Sequence, residues 1–195
     1  MTTTTSAEDR ERQERLRQEW EGGAWHGVEG GLCPALYRNS DPASLPAVPL
    51  AKVLDWRYGA QGLVAHGDTG RGKTRAMWLL LRRLHFGEGR KIVAFSTGQF
   101  AHECARRFAG DGDGPHWIER LARTDIVFFD DLGNDRVTER VESELFGVVE
   151  RRIANCLPLL ITTNHIGDTL AAKFTPDTGA ALVRRLREFC LCVVF

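Results

Sequence analysis

The sequence carries no excess of charge of either sign: 26 Lys and Arg balance 26 Asp and Glu, and the pI is about 7.0. That balance removes the whole-chain electrostatic footprint of a nucleic-acid binder, although from Arg151 onward six basic residues face three acids. Cysteine is sparse and poorly spaced. The five residues (Cys33, Cys104, Cys156, Cys190 and Cys192) are odd in number and contain no C-x-x-C pair, so neither a disulfide framework nor a zinc module is indicated. No apolar run is long enough to cross a bilayer, and no signal peptide is recognisable. The expectation is a cytoplasmic, reducing setting without a membrane partner. Internal repeats are absent, and basic and aromatic residues do not interleave as a stacking platform for single strands requires. What remains, in 195 residues, is an ordinary composition sufficient for one α/β domain with a sizeable core.

Within that composition one stretch is specific. Gly67-Asp68-Thr69-Gly70-Arg71-Gly72-Lys73-Thr74 fits G-x-x-x-x-G-K-[ST] at every fixed position. An apolar run from Gly62 to His66 precedes it, and a helical run that is apolar on most sides follows, through Leu84. Strand, glycine loop and buried helix together form a phosphate-binding device. The glycines let backbone N–H groups crowd a polyphosphate, and the helix N-terminus adds partial positive charge. In such a loop Lys73 reaches the β- and γ-phosphates and the Thr74 hydroxyl ligates Mg²⁺. The stretch therefore predicts binding of a nucleoside triphosphate, with ATP and Mg²⁺ as the expected cofactors.

Residues 1–7 are Thr-rich and expected to be disordered. Residues 8–20 form a charged helix with Leu16 and Trp20 four apart on one face. Two readings stay open for it: a solvated helix lying over the domain, or a docking helix for a partner. Residues 22–49 are rich in Gly and Pro and read as irregular connection, so that 1–49 forms an N-terminal tail, helix and linker and 50–195 the folded domain. A short helix at 50–58 leads into strand 62–66. Further apolar strands are expected at 91–96, 125–131, 158–164 and 189–195, separated by helices at 98–109, 116–122, 138–154, 167–174 and 178–188. Val141, Leu145, Val148 and Val149 mark the inward stripe of 138–154, and Thr138 its N-cap. Five near-continuous apolar strands alternating with helices predict an α/β fold: a parallel sheet covered on both faces.

Ligands of open parallel sheets bind outside the carboxyl ends of the strands. Asp130 and Asp131 stand there on the third strand, and Asn164 on the fourth. Asp130 is the candidate metal ligand and Asp131 the candidate for orienting or activating water. Adjacent acids can also simply end a strand. Asn164 would place the attacking water, or merely cap the next helix.

The order and spacing of G-D-T-G-R-G-K-T, F-F-D-D-L-G, the 138–154 helix with Arg151-Arg152, and L-L-I-T-T-N resembles the DnaC/IstB-like branch of the AAA+ ATPases over roughly residues 50–195. That branch holds helicase loaders and transposition helper ATPases. The resemblance implies a five-stranded P-loop core of strand order 5-1-4-3-2 with no C-terminal lid domain, and ATP hydrolysis at the boundaries of a homo-oligomer. It also implies a sensor role for Asn164 beside the γ-phosphate. It suggests a neighbouring subunit's arginine, here Arg185 or Arg184, although where several loaders carry that arginine this chain has Ala181. A replicative helicase or a transposase is the implied partner, with single-stranded DNA a further one through Arg106 and Arg107. If a protein partner is held, the helix around Leu16 and Trp20 is the expected handle.

Overall fold

Alternation along each strand decides which layer a side chain joins. In the computed structural model, which describes residues 7–22, 32–110 and 112–195, five parallel strands form one sheet. They are β1 (Gly62–His66), β2 (Ile92–Ser96), β3 (Ile126–Asp130), β4 (Leu159–Thr163) and β5 (Cys190–Val194). Their order is β2-β3-β4-β1-β5, the predicted 5-1-4-3-2 read from the other edge. Val64, Val127, Phe129, Leu159 and Ile161 face one layer, while Leu63, Ala65, Ile126, Phe128 and Leu160 face the other.

The first layer is built from α5 (Thr97–Arg107), α6 (Gly114–Arg123), α7 (Glu139–Ala154), the short α8 (Asp168–Ala171) and α9 (Pro176–Phe189). The expected stripe of Val141, Leu145, Val148 and Val149 is buried there, around Phe100, Trp117 and Phe129. Thr138 caps α7 as its sequence predicts, its hydroxyl accepting from the Val141 amide.

The opposite face has a different problem. After β1 only α4 (Lys73–Glu88) crosses on that side, and one helix does not cover five strands. The N-terminal region completes the layer through α1 (Ala7–Glu21), α2 (Ala35–Arg38), a 3-10 turn at Pro42–Ser44 and α3 (Ala47–Asp55). Trp20, Leu32, Cys33, Leu50 and Val53 share one cluster with Met77, Leu80 and Phe128. Trp20 packs edge-on to Trp78, with centroids 5.7 Å apart, and stacks on His85 at 5.5 Å. His85 Nε2 lies 2.9 Å from the Leu16 carbonyl oxygen.

Of the two readings open for the charged helix, the structure agrees with the first: it lies over the domain, with Leu16 and Trp20 buried and Trp20 packed on Trp78 and His85 of α4. Within 22–49 the chain is not irregular throughout: residues 23–31 lie outside the described residues, but short helical turns follow, one of them capped by the Asp41 carboxylate accepting from the Ala43 amide. Proline starts rather than breaks these turns: Pro42 takes a first helical position, which its fixed φ suits, and Pro34 and Pro46 stand just before α2 and α3 as their N-caps. The last element of the described chain is β5, and among the described residues no helix is long and apolar enough to cross a membrane.

Candidate functional site

The loop between β1 and α4 needs glycine for a local reason. Gly72 has φ 94°, and a Cβ there would sit 2.5 Å from Leu45 Cδ2. Gly67 has φ 136°, and a Cβ there would collide with the Phe195 carbonyl. Side chains rarely adopt such backbone angles and would meet neighbouring atoms here, so both positions require glycine. A cavity of about 530 Å³ opens over it, lined by Thr69–Arg75, Asp130, Asp131, Thr162 and Asn164.

Parallel pairing brings the predicted residues together. β1 lies beside β4, and β4 beside β3, so the ends of all three strands meet at one rim. Lys73 is nearly buried, and its Nζ donates to the carbonyls of Gly67 at 2.8 Å and Asp68 at 2.7 Å and to Asn164 Oδ1 at 2.8 Å. Asn164 Nδ2 in turn donates to Asp131 Oδ1 at 3.0 Å. Asn164 thus bridges the loop lysine and the second acid. The Thr74 hydroxyl donates to Asp130 Oδ1 at 2.8 Å, which sets the two candidate metal ligands side by side. Asp131 itself sits at φ 57°, a left-handed conformation uncommon for a non-glycine residue and a form of stored strain.

Electrostatics follow from burial. Burial raises the Asp130 pKa, while the hydroxyls of Thr162 and Thr74 and the Lys73 charge pull it down. Burial also pushes the Lys73 ammonium pKa down, opposed by Asp131, Asp68 and Asp130. Among the described residues, no group of three or more His, Cys, Asp or Glu side chains converges into a metal cage. A divalent ion at Thr74 and Asp130 would take its other ligands from phosphate and water, the usual habit of Mg²⁺. The bare glycine loop, the buried lysine and the adjacent hydroxyl–carboxylate pair fit a magnesium-bound polyphosphate.

Arg185 is not part of this assembly. Its guanidinium grips Glu150 of α7 with two hydrogen bonds, Nε to Oε1 at 2.5 Å and Nη2 to Oε2 at 3.0 Å. Arg184 is exposed, makes no ion pair among the described residues, and lines a separate groove with Asp168, Val183 and Arg187. Arg106 and Arg107 are likewise engaged, both with Glu103, and Arg107 also with Asp113.

Sequence reasoning missed six residues that line the cavity: Leu36, Tyr37, Ser44, Leu45, Arg75 and Thr162. Tyr37 and Leu45 line it from the N-terminal region, with Tyr37 stacked on Trp78 at 6.2 Å, and their surroundings hold no motif. Thr162 also lines it. Its signal was present: a polar residue inside a buried strand, two before Asn164 and therefore on the same side.

No family model matches the sequence, and no curated protein does. Solved structures do. A DnaC helicase loader matches with TM-score 0.67 and 18% identity, over 83% of this chain and 99% of that one. This chain shares the fold of that DnaC structure. A putative primosome component from Streptococcus pyogenes serotype M3 matches at TM-score 0.64 and 15% identity, over 94% of this chain and 96% of the other. AMPPCP-bound DnaA from Aquifex aeolicus matches at TM-score 0.60 and 15% identity, over 74% of this chain. This chain spans only 44% of that replication initiator. What is shared is the fold, here an α/β core on a parallel five-stranded sheet.

Proposed function

We propose that the chain binds ATP with Mg²⁺, hydrolyses it, and serves as a helicase loader in DNA replication, of a phage or mobile-element type. The observation that carries the reading is the convergence of Lys73, Thr74, Asp130, Asp131 and Asn164 on one cavity from three separate strand ends. Gly67, Asp68, Thr69, Gly70, Arg71 and Gly72 supply the phosphate cradle. Lys73 would exchange its two carbonyl contacts for phosphate oxygens, and Thr74 with Asp130 would hold the metal. Asp131 would orient water, steered by Asn164 through the hydrogen bond they share. The magnesium, when bound, would neutralise charge on the transferring phosphoryl group.

Loader work is supported by the near-complete coverage of the DnaC structure. The implied partners are a replicative helicase, other copies of this chain and single-stranded DNA; a transposase takes the helicase's place if the chain is a transposition helper. One observation favours a second reading, a nucleotide-gated adaptor with little turnover. Arg185, one of the two arginines that could complete a neighbour's site, is held by Glu150 within its own chain.

Titration of a fluorescent ATP analogue tests the core reading. Lys73→Ala should weaken binding by roughly 100-fold, because charge-assisted hydrogen bonds to phosphate are lost. A wild-type chain with no affinity for the analogue overturns it. Phosphate release measured against protein concentration and added single-stranded DNA separates the two readings: a rise marks the oligomeric ATPase, and tight binding without turnover marks the adaptor.

A further inference from the structure

The Thr162 hydroxyl occupies a position that the reading above leaves without a role. Thr162 is almost fully buried in β4 and lines the cavity. A hydroxyl has one proton to give and lone pairs to receive. Thr162 Oγ1 donates that proton to Asp130 Oδ1 at 2.5 Å and accepts the Asp131 amide at 2.8 Å. One oxygen atom therefore touches both acids of the β3 tip, the first through its side chain and the second through its backbone. The Asp131 amide it receives belongs to the residue held at φ 57°. The same Asp130 oxygen also accepts from Thr74, so removal of that partner toward a metal would leave Thr162 as the remaining anchor.

We propose that Thr162 is a positioning residue for the metal site. Its hydroxyl fixes the Asp130 carboxylate in the orientation that meets Thr74 and keeps Asp131 turned toward Asn164. This rests on the nucleotide reading, because the ion it serves arrives with the phosphates. Thr162 touches neither in this scheme and acts through Asp130 and Asp131.

The neighbouring residue provides a matched control. Thr163 is equally buried, and its hydroxyl also bridges two partners, donating to the Leu132 carbonyl at 2.7 Å and accepting from the His165 amide at 3.1 Å. Both partners are backbone groups, so Thr163→Val makes the same chemical change without reaching either acid's side chain. The probe is fluorescent ADP, titrated with and without Mg²⁺ alongside thermal unfolding of the free protein. Thr162→Val should keep the affinity measured in EDTA and raise the Mg²⁺ concentration for half-maximal enhancement by roughly tenfold, as loss of a hydrogen bond to a charged group implies. Thr162→Ser should restore the wild-type magnesium response. Thr163→Val should lower stability and leave that response unchanged. Should the valine variant not fold, Thr162→Ala, which leaves room for water, is expected to show the same direction of change. An unchanged magnesium response in a folded Thr162 variant overturns the proposal, as does an equal loss in Thr163→Val. Those results leave the nucleotide reading intact, whereas a wild-type chain that binds no ADP overturns both.

Discussion

Asp130 and Asp131 are adjacent in sequence but have separate side-chain partners, Thr74 and Thr162 for the first and Asn164 for the second, so substitutions at the two test different parts of the proposed function. Asp131→Asn keeps the size of the side chain and removes its charge, so nucleotide binding should persist while turnover falls by roughly 100-fold, within the range for losing a general base. Asp130→Asn should instead weaken the magnesium-dependent part of binding. Phosphate release and analogue titration on the same preparations separate the two, and retained turnover in Asp131→Asn would remove it as the water-orienting group. The residue scale also sets a pH dependence. Burial lowers the pKa of His66, with Lys73 adding repulsion, and burial lowers that of His165, with Lys173 doing the same. The unfolded chain, whose imidazoles titrate near ~6.5, then binds more protons than the folded one below that pH. Stability from these histidines is complete above about pH 6.5 and is lost as the pH falls through their folded values. Glu103 and Asp113, held low by their arginines, act in the same sense at lower pH, and Asp130, raised by burial, opposes them. Thermal unfolding at pH 7.5 and 5.5 should show the lower midpoint at pH 5.5.

Between elements, the residue that ties most segments together is Arg152 of α7. It is fully buried, and its guanidinium donates to the carbonyls of Leu121, Thr124, Asp125 and Pro158, binding the end of α6, the start of β3 and the approach to β4. Burial lowers its pKa to about 10, which leaves it charged at neutral pH. Arg152→Ala strands four carbonyl acceptors and a cavity at a cost of about 3–5 kcal/mol, a midpoint drop of roughly 6–20 °C by calorimetry. Arg152→Lys should recover little, because an ammonium lacks the planar fork that reaches four carbonyls. The sequence presents Arg151-Arg152 only as basic residues at a helix end, since the carbonyls that claim Arg152 come from segments up to 31 residues away. The strands and α7 were legible for the opposite reason: their apolar periodicity is local. The glycine loop was legible because its backbone demands are written in fixed positions. α1 was half legible. Its Leu16–Trp20 pair announced a buried stripe, but the uncovered sheet face that receives it appears only once the crossovers are laid out. Trp20→Ala should therefore cost about 3–5 kcal/mol in the same experiment, rather than act only on a partner.

At the scale of the whole molecule, the arginines that line the cavity are Arg71 and Arg75, beside the glycine loop, while Arg184 and Arg185 lie on α9 outside it. A head-to-tail assembly would bring one copy's α9 to the next copy's cavity, the heterologous geometry that forms rings or filaments. Such an arrangement has a consequence no monomer shares. A chain carrying Arg184→Ala with Arg185→Ala keeps a complete acceptor site, and a chain carrying Asp131→Asn keeps complete arginines. Each alone should be inactive, yet mixing them creates boundaries where an intact Asp131 faces intact arginines, and turnover should partly return. Single substitutions then assign the role. If the free guanidinium acts, Arg184→Ala removes the recovery, whereas Arg185→Ala chiefly loosens the contact with Glu150. If Arg185 acts, it must leave Glu150 on assembly, and Glu150→Gln should raise turnover by releasing it. Phosphate release from the mixture, compared with each component at the same total concentration, decides between these, and a mixture no more active than its parts places the whole reaction within one chain.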